Sequence, residues 1–409
     1  LSKLHIQSLQ NGLTVIVEEI PHVASAAFEL LIPGGMLTDA DGHEGTCLLL
    51  AEMFSRGAGE LNSRQLSDAF DMLGVSHGEG AGHDCFTFRG MLLATHLEET
   101  LRLLSLMVLQ PHLPESELEN VRSLFLQDLA ALIDHPSRRV MIELASRYFP
   151  GRWARSSLGT EEGLRAVTVE YLRKEYDRRI RPQGAVISIA GNVRAAEVFS
   201  QVEKLFGAWL GKGEALPELG QLPKHSQFHI PFDSAQVQIA LGYPSAAFGH
   251  PQYYTAKVAT GVLSGGMFGR LFMEVREKRG LCYSVRARQS ATKLCGATWV
   301  YAGTTTERAH ETFAVTVEVL RGLRGTVTEE ELHRSKVDLK TGRIIGEESS
   351  SSRAAGNASD WWQGGRVRPN EEILSGLAAV SLADIDAYVE AYPATSFMSL
   401  TLGAKPVEL

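Results

Sequence analysis

The stretch VLSGGMFGRLFMEVREKRGLCYSV, Val262–Val285, is the one on which the reading of this chain turns. It opens with Gly265, Gly266 and Gly269. An amphipathic run follows, with Leu271, Phe272 and Val275 apolar and Glu274, Arg276, Glu277, Lys278 and Arg279 charged. The spacing predicts a helix over 267–279. Gly280 stands where a helix C-cap is expected, and LCYSV then reads as a strand. Arg276 falls in the last helical turn and Tyr283 just inside the strand. A reversal between them can bring a fixed cation and a phenolic donor to one side, a combination suited to gripping a peptide carbonyl. The same residues also fit a helix with a solvated charged face, with Glu274 and Lys278 as an ordinary surface pair. On the residues alone that plainer reading is the better one. No Lys-Ser or Lys-Thr follows the glycines, so they do not form a phosphate loop.

To either side, apolar alternation predicts strands at 12–19, 25–32, 86–93, 185–190, 236–243, 299–304 and 397–402. Helical spacing predicts helices at 45–56, from Asn62 to Gly74, at 97–109 and 115–133, near 139–149 and 168–177, then at 251–264, 307–322 and 329–345. The strand, helix, turn and acidic helix start of 86–133 recur at 299–345, with PESEL at 114–118 answered by TEEEL at 328–332. One unit is used twice, at a period too long for a solenoid. Residues 207–224, rich in Gly and Pro, lack periodicity. The expected organisation is an N-terminal half at 1–210, a linker at 211–224 and a C-terminal half at 225–409. The fold class is α+β: two homologous halves, each a mostly antiparallel sheet flanked by helices.

Length and composition narrow the function. The 409 residues suffice for two or three domains, and 44% hydrophobic with 22% charged residues is ordinary for a soluble globular chain. A net charge of −8 argues against nucleic acid or anionic membranes as partners, and no apolar run is long enough to span a bilayer. Residue 1 is Leu, which fits a processed N-terminus and leaves bacterial cytoplasm and periplasm both open. Cys47, Cys85, Cys282 and Cys295 are scattered without a C-x-x-C and read as free thiols.

NGLTVIVEE, the LIPGG turn, GTCLLLAEMFSRGAG, SIAGNV with VEKLFGAW, and above all GGMFGRLFMEVREKRGLCYSV carry a resemblance that runs almost end to end. The sequence resembles the insulinase/pitrilysin-type metallopeptidases, the inverzincins, and most closely their two-part, mitochondrial-processing-peptidase-like branch. The resemblance implies a chain forming half of a clamshell. Active members carry H-x-x-E-H on the first helix, two histidines for zinc and a glutamate to activate its water. Here the matching positions read Leu48, Leu49, Leu50, Ala51 and Glu52, so both histidines and the base are replaced. The third ligand position falls at Asp128, which interrupts the apolar stripe of Val121, Phe125, Leu129 and Leu132. It is readable either as a vestige of the site or as an ordinary polar residue. His77, Glu79 and His83, and His225 with His229, do not replace the lost set.

Arg276 and Tyr283, by contrast, keep the spacing of the family's substrate-gripping pair. The resemblance therefore implies a zinc-free, non-catalytic subunit, with zinc on a homologous H-x-x-E-H partner in a heterodimer and a peptide or unfolded polypeptide as substrate. Arg276 would hold a backbone carbonyl, and Tyr283 would stabilise the oxyanion in trans. The alternative is a scaffold protein of the same fold without a peptidase role, as in the peptidase-derived core subunits of a respiratory complex. A self-sufficient hydrolase built on Cys47 ranks last, because a thiol on an apolar helix is more often core than nucleophile.

Overall fold

The computed structural model describes residues 3–222 and 225–407. One sheet contains β1 (Lys3–Ser8), β2 (Thr14–Glu19), β3 (Ser25–Pro33), β4 (Ser76–Ala81), β5 (Cys85–Leu93) and β6 (Val186–Gly191), in the order β1-β2-β6-β3-β5-β4. The other contains β7 (Ser226–Pro231), β8 (Gln236–Ser245), β9 (Cys282–Ala291), β10 (Gly296–Thr305) and β11 (Met398–Gly403), in the order β9-β10-β8-β11-β7. Within the two sheets β2 runs parallel to β6 and β7 parallel to β11, while the other neighbours are antiparallel. Laying β2-β6-β3-β5-β4 on β7-β11-β8-β10-β9 therefore matches order and sense strand by strand. The fold is α+β, with two homologous, mostly antiparallel halves flanked by helices. Strand β6, VISIAG, is buried at every position because it is central and covered on both faces.

The chain forms two compact units. One comprises the residues up to 131 with 155–218 and 346–367; the other comprises 132–154, 219–345 and the residues from 368 onward. Neither is a contiguous half of the sequence. Residues 210–222, in the stretch expected as a linker, form no helix or strand, and residues 223 and 224 lie outside the described residues.

In the first unit, α1 (Thr46–Met53), α2 (Ser63–Met72), α3 (Leu97–Leu109), α4 (Glu115–Ala130), α6 (Val169–Arg179) and α7 (Ala195–Phe206) enclose the larger core against the sheet. The opposite face of that sheet is covered by α11 (Ser350–Gly364), from far down the chain. Small residues make this possible: Ala27 and Ala190 on the strands meet Ala354 on the helix, so helix and sheet approach closely. In the second unit, α8 (Tyr253–Ser264) and α9 (Ala309–Arg321) lie against one side of the sheet, and α10 (Glu329–Glu347) packs on α8, where its Ser335 hydroxyl donates to Val258 O at 2.8 Å. The other side receives α5 (Pro136–Tyr148), whose Val140, Leu144 and Tyr148, spaced four apart, pack on Ala240, Tyr301, Leu400 and Leu402. Each half thus lends one helix to the other half's sheet.

A buried ionic lock holds α11 in place. Glu18 on β2 accepts from Arg353 Nη1 through one carboxylate oxygen and from Asn357 Nδ2, at 2.9 Å, through the other. Arg353 also pairs with Glu347 at 3.1 Å. Both side chains of the Glu18–Arg353 pair are largely buried, so removing Glu18 leaves Arg353 with Glu347 as its remaining carboxylate and takes the Glu18 acceptor from the Asn357 amide. Glu18→Ala is expected to lower the unfolding free energy by roughly 2 kcal/mol. Arg324→Ala, which breaks the exposed Arg324–Glu390 pair, should cost less than about 1 kcal/mol. Urea unfolding of the two variants checks the contrast, and equal losses would contradict it.

Candidate functional site

Helix α1 carries the positions that match the family's metal-binding motif. Its start is set by Asp39, whose side chain accepts from the Gly45 amide at 2.9 Å and the Cys47 amide at 3.2 Å, tying up orphan donors of the first turn. Arg179 of α6 donates to Asp39 at 2.6 Å and to Glu175 at 2.7 Å, and all three groups are buried. Burial alone would raise the Glu175 carboxyl, but the donors of Arg178 and Arg179 prevail and hold it below the usual carboxylate value.

The middle of the helix pinned this way is apolar. Leu48, Leu49, Leu50 and Ala51 all belong to the core, and none of them has a donor atom for a metal. Glu52 is half-buried and its carboxylate accepts from Arg56. Asp128 is half-buried on α4, the helix that packs against α1. Among the described residues no three His, Cys, Asp or Glu side chains gather where they could share one ion. The residues at 48–52 therefore do not fit a zinc centre. Cys47 is fully buried, and burial pushes its thiol well above the ordinary value, so it stays neutral.

His77, His83, His225 and His229 lie on or beside strands. His77 and Glu79 share one face of β4, 3.6 Å apart, and the His77 ring meets that of Phe70 at a tilt of 37°. His83 lies in the turn before β5, where burial lowers its basicity. His229 sits on β7 with Nδ1 3.0 Å from Thr401 Oγ1, and His225 meets the edge of Phe397. In an extended strand, residues four apart are about 13 Å apart, too far to share a ligand.

The second unit holds the other site. The expected helix over 267–279 is broken in two: a 3-10 turn at Gly266–Phe268 is followed by a π-helical segment at Phe272–Glu277. The glycines allow the break. A Cβ on Gly269 would lie 2.8 Å from Ser264 Cα and 2.9 Å from Leu263 O, both backbone atoms that cannot move aside. In the π segment the Lys278 amide donates to Met273 O at 2.9 Å, five residues back. The added residue rotates the chain beyond it by roughly 100° relative to an α-helix.

Gly280 then takes a left-handed conformation, φ +60°, and ends the segment. Its carbonyl accepts from Arg308 Nη1 at 2.5 Å. The Leu281 carbonyl accepts from Thr304 Oγ1 at 2.5 Å and from Thr312 Oγ1 at 3.3 Å. Strand β9 begins with a bulge: Cys282 pairs with Thr304 and Ser284 with Gly303, so Tyr283 is the extra residue. A bulge re-aims a side chain, and Tyr283 is 84% exposed.

These local rules bring the two expected residues together. The Arg276 guanidinium lies 5.4 Å from the centre of the Tyr283 ring and 4.8 Å from that of Phe272. It is held between two aromatic faces, and its Nε also lies 3.8 Å from Glu277 Oε1 at the edge of ion-pair distance. Cys282 beside them is buried, which pushes its thiol up to about 11 against the opposing charge of Arg276. The plain surface pair is present as well: Lys278 Nζ lies 2.6 Å from Glu274 Oε1. Phe272 did not stand out as a site residue in the sequence, although its place four residues before Arg276 is helical spacing that could have flagged it. Nothing in the pattern pointed to Arg308.

Arg270 ties this segment to the turn between α9 and α10. It forks onto Glu331 at 2.6 and 2.8 Å and donates to Thr326 Oγ1 at 2.7 Å. The fork holds the Glu331 carboxyl down at about 2, below its ordinary 4.5.

Known proteins resemble this chain in sequence and in fold. A family model described as insulinase (peptidase family M16) matches residues 14–161, and one described as peptidase M16 inactive domain matches 166–338. A Bacillus subtilis protein described as the uncharacterized zinc protease YmxG is 28% identical over 385 residues, covering 92% of each chain. The crystal structure of a peptidase M16 inactive domain from Pseudomonas fluorescens superposes with a TM-score of 0.90 at 21% identity, covering 100% of this chain and 99% of that one. A protease from Helicobacter pylori does so with a TM-score of 0.90 at 18% identity, covering 99% of this chain and 100% of that one.

The Arg270–Glu331 fork has a defined pH signature. The folded value of Glu331 lies below the unfolded one, so its stabilisation is complete above pH 4.5 and is lost as pH falls toward 2. Glu331→Gln is expected to be less stable than the parent at neutral pH, with the gap closing between pH 4.5 and 2. Unfolding free energies measured across that range check it; a gap that does not change with pH would contradict it.

Proposed function

Because the chain belongs to the insulinase (M16) peptidase family yet has Leu48, Ala51 and Glu52 in place of that family's zinc and base residues, we propose that it is the non-catalytic subunit of a heterodimeric metallopeptidase. A homologous subunit carrying H-x-x-E-H supplies the metal and the bond-breaking chemistry. This chain supplies Arg276 and Tyr283. The single observation that carries the reading is the exposed Arg276–Tyr283 pair on a junction held by Arg308, Thr304 and Thr312.

Each residue has a definite task. Arg276, clamped by Phe272 and Tyr283, donates to a backbone carbonyl of an extended peptide and fixes its register. The Tyr283 hydroxyl donates to the oxyanion as the scissile carbonyl becomes tetrahedral. Preorganisation matters because such a donor lowers the barrier only if it needs no rearrangement during the reaction. The bulge and the pinned carbonyls supply that rigidity. A scaffold of the same fold would need no outward tyrosine: a large aromatic kept for packing is normally buried, and Tyr283 is not.

Kinetics of the mixed subunits test the assignment. With the H-x-x-E-H homologue present, Tyr283→Phe should lower kcat about a hundredfold. Arg276→Ala should raise KM about tenfold, as expected for lost ground-state binding. Variants that leave both constants unchanged would move the chain to the scaffold reading.

A further inference from the structure

The strand that begins with Tyr283 is also the end strand of its sheet. On one side β9 pairs with β10. Among the described residues, no other backbone hydrogen-bonds to its outer edge. Past the bulge, Ser284, Arg286 and Arg288 share one face, opposite Gly303, Tyr301 and Trp299 of β10.

The two arginines stand apart from the cations around them. Arg270 is paired with Glu331, Lys278 and Arg279 with Glu274, and Arg334 with Glu330. No carboxylate of the described residues lies within ion-pair distance of Arg286 or Arg288. Both are exposed, in a chain whose net charge is −8. Arg286 is nevertheless positioned, its guanidinium 5.2 Å from the centre of the Tyr301 ring, and the Tyr301 hydroxyl is fixed by donating to Gln238 at 2.6 Å. A free strand edge thus carries two uncompensated cations two residues apart, and the Arg276–Tyr283 pair lies at its start.

We propose that β9 takes an extended acidic stretch of the substrate polypeptide as an added strand, with Arg286 and Arg288 pairing with carboxylates at alternate positions of that stretch. The spacing fits: alternate residues of an extended chain recur about every 6.6 Å on one face, the same interval as the two arginines. Strand addition supplies main-chain hydrogen bonds that are indifferent to sequence, so the side chains set selectivity. Opposite charges facing each other across a strand pair are favourable and like charges are not, so this edge accepts acidic segments and rejects basic ones. The inference rests on the peptide-holding role of Arg276 and Tyr283 and adds a substrate class to it.

The test uses the purified full chain and three fluorescein-labelled peptides that share one β-prone sequence and differ only in a central Glu-x-Glu, Gln-x-Gln or Lys-x-Lys. By fluorescence anisotropy at low ionic strength, Glu-x-Glu should bind about five- to tenfold more tightly than Gln-x-Gln, and added salt should shrink the difference. Arg286→Gln/Arg288→Gln should abolish the preference. Arg286→Glu/Arg288→Glu should transfer the preference to Lys-x-Lys. Peptides that bind without a charge preference would overturn the acidic lane while leaving the Arg276–Tyr283 grip intact, which is read separately from kcat and KM of the mixed subunits. A preference that survives both double variants, or no binding of any of the peptides, would also overturn it. Self-association of Arg286→Gln/Arg288→Gln, with no acidic preference in the parent chain, would instead assign the arginines to keeping the edge solitary.

Discussion

Two backbone carbonyls, those of Gly280 and Leu281, are the points on which the second site depends. Three side chains from β10, α9 and the turn between them donate to these carbonyls. A carbonyl held by charged or buried donors cannot rotate without leaving those donors unpaired. The conformation of Gly280 and the bulge at Tyr283 are therefore imposed from outside the segment as well as from within it. The direction of Tyr283 and the cradle around Arg276 follow from that constraint.

The two units put the same sheet plan to different uses. In the first, a buried carboxylate and its arginine fix the start of α1, and the positions that would bear metal donors are filled with Leu and Ala packed into the core. That helix is a structural element. In the second, close glycine contacts and a π-helical segment keep the chain off a plain helical path and leave polar and aromatic groups outside. On the function proposed above, the donor-free helix in one unit and the ordered Arg276–Tyr283 pair in the other belong to a chain that acts with a partner. The exchange of α5 and α11 binds each unit to distant sequence. The Glu18–Arg353–Asn357 lock specifies where the exchanged helix sits, beyond what its small apolar contacts decide.

Much of this was legible in the sequence because local chemistry agreed with the fold. The central strands are continuous or alternating apolar runs, and the repeated acidic helix starts marked the duplication. Gly280 announced the reversal that brings Arg276 to Tyr283. Strand β4, SHGEGA, does not read as a full strand, since two glycines and no apolar alternation leave only an edge to pair with. Strand β1 is exposed along nearly its whole length and gives as little signal. The π-helical segment was invisible, because the same side chains fit an α-helix and only the packed glycines and pinned carbonyls shift the phase. The helix exchange was hidden for a different reason. An apolar stripe such as Val140, Leu144 and Tyr148 shows that a helix is covered and is silent on which sheet covers it.

The most direct measurement is zinc content and peptidase activity for this chain purified alone, for its H-x-x-E-H homologue alone, and for the two mixed. The account predicts no stoichiometric zinc and no cleavage from this chain by itself, and activity that appears or rises sharply on mixing. Stoichiometric zinc or peptide cleavage by the isolated chain, or a homologue whose full activity is indifferent to its presence, would contradict it.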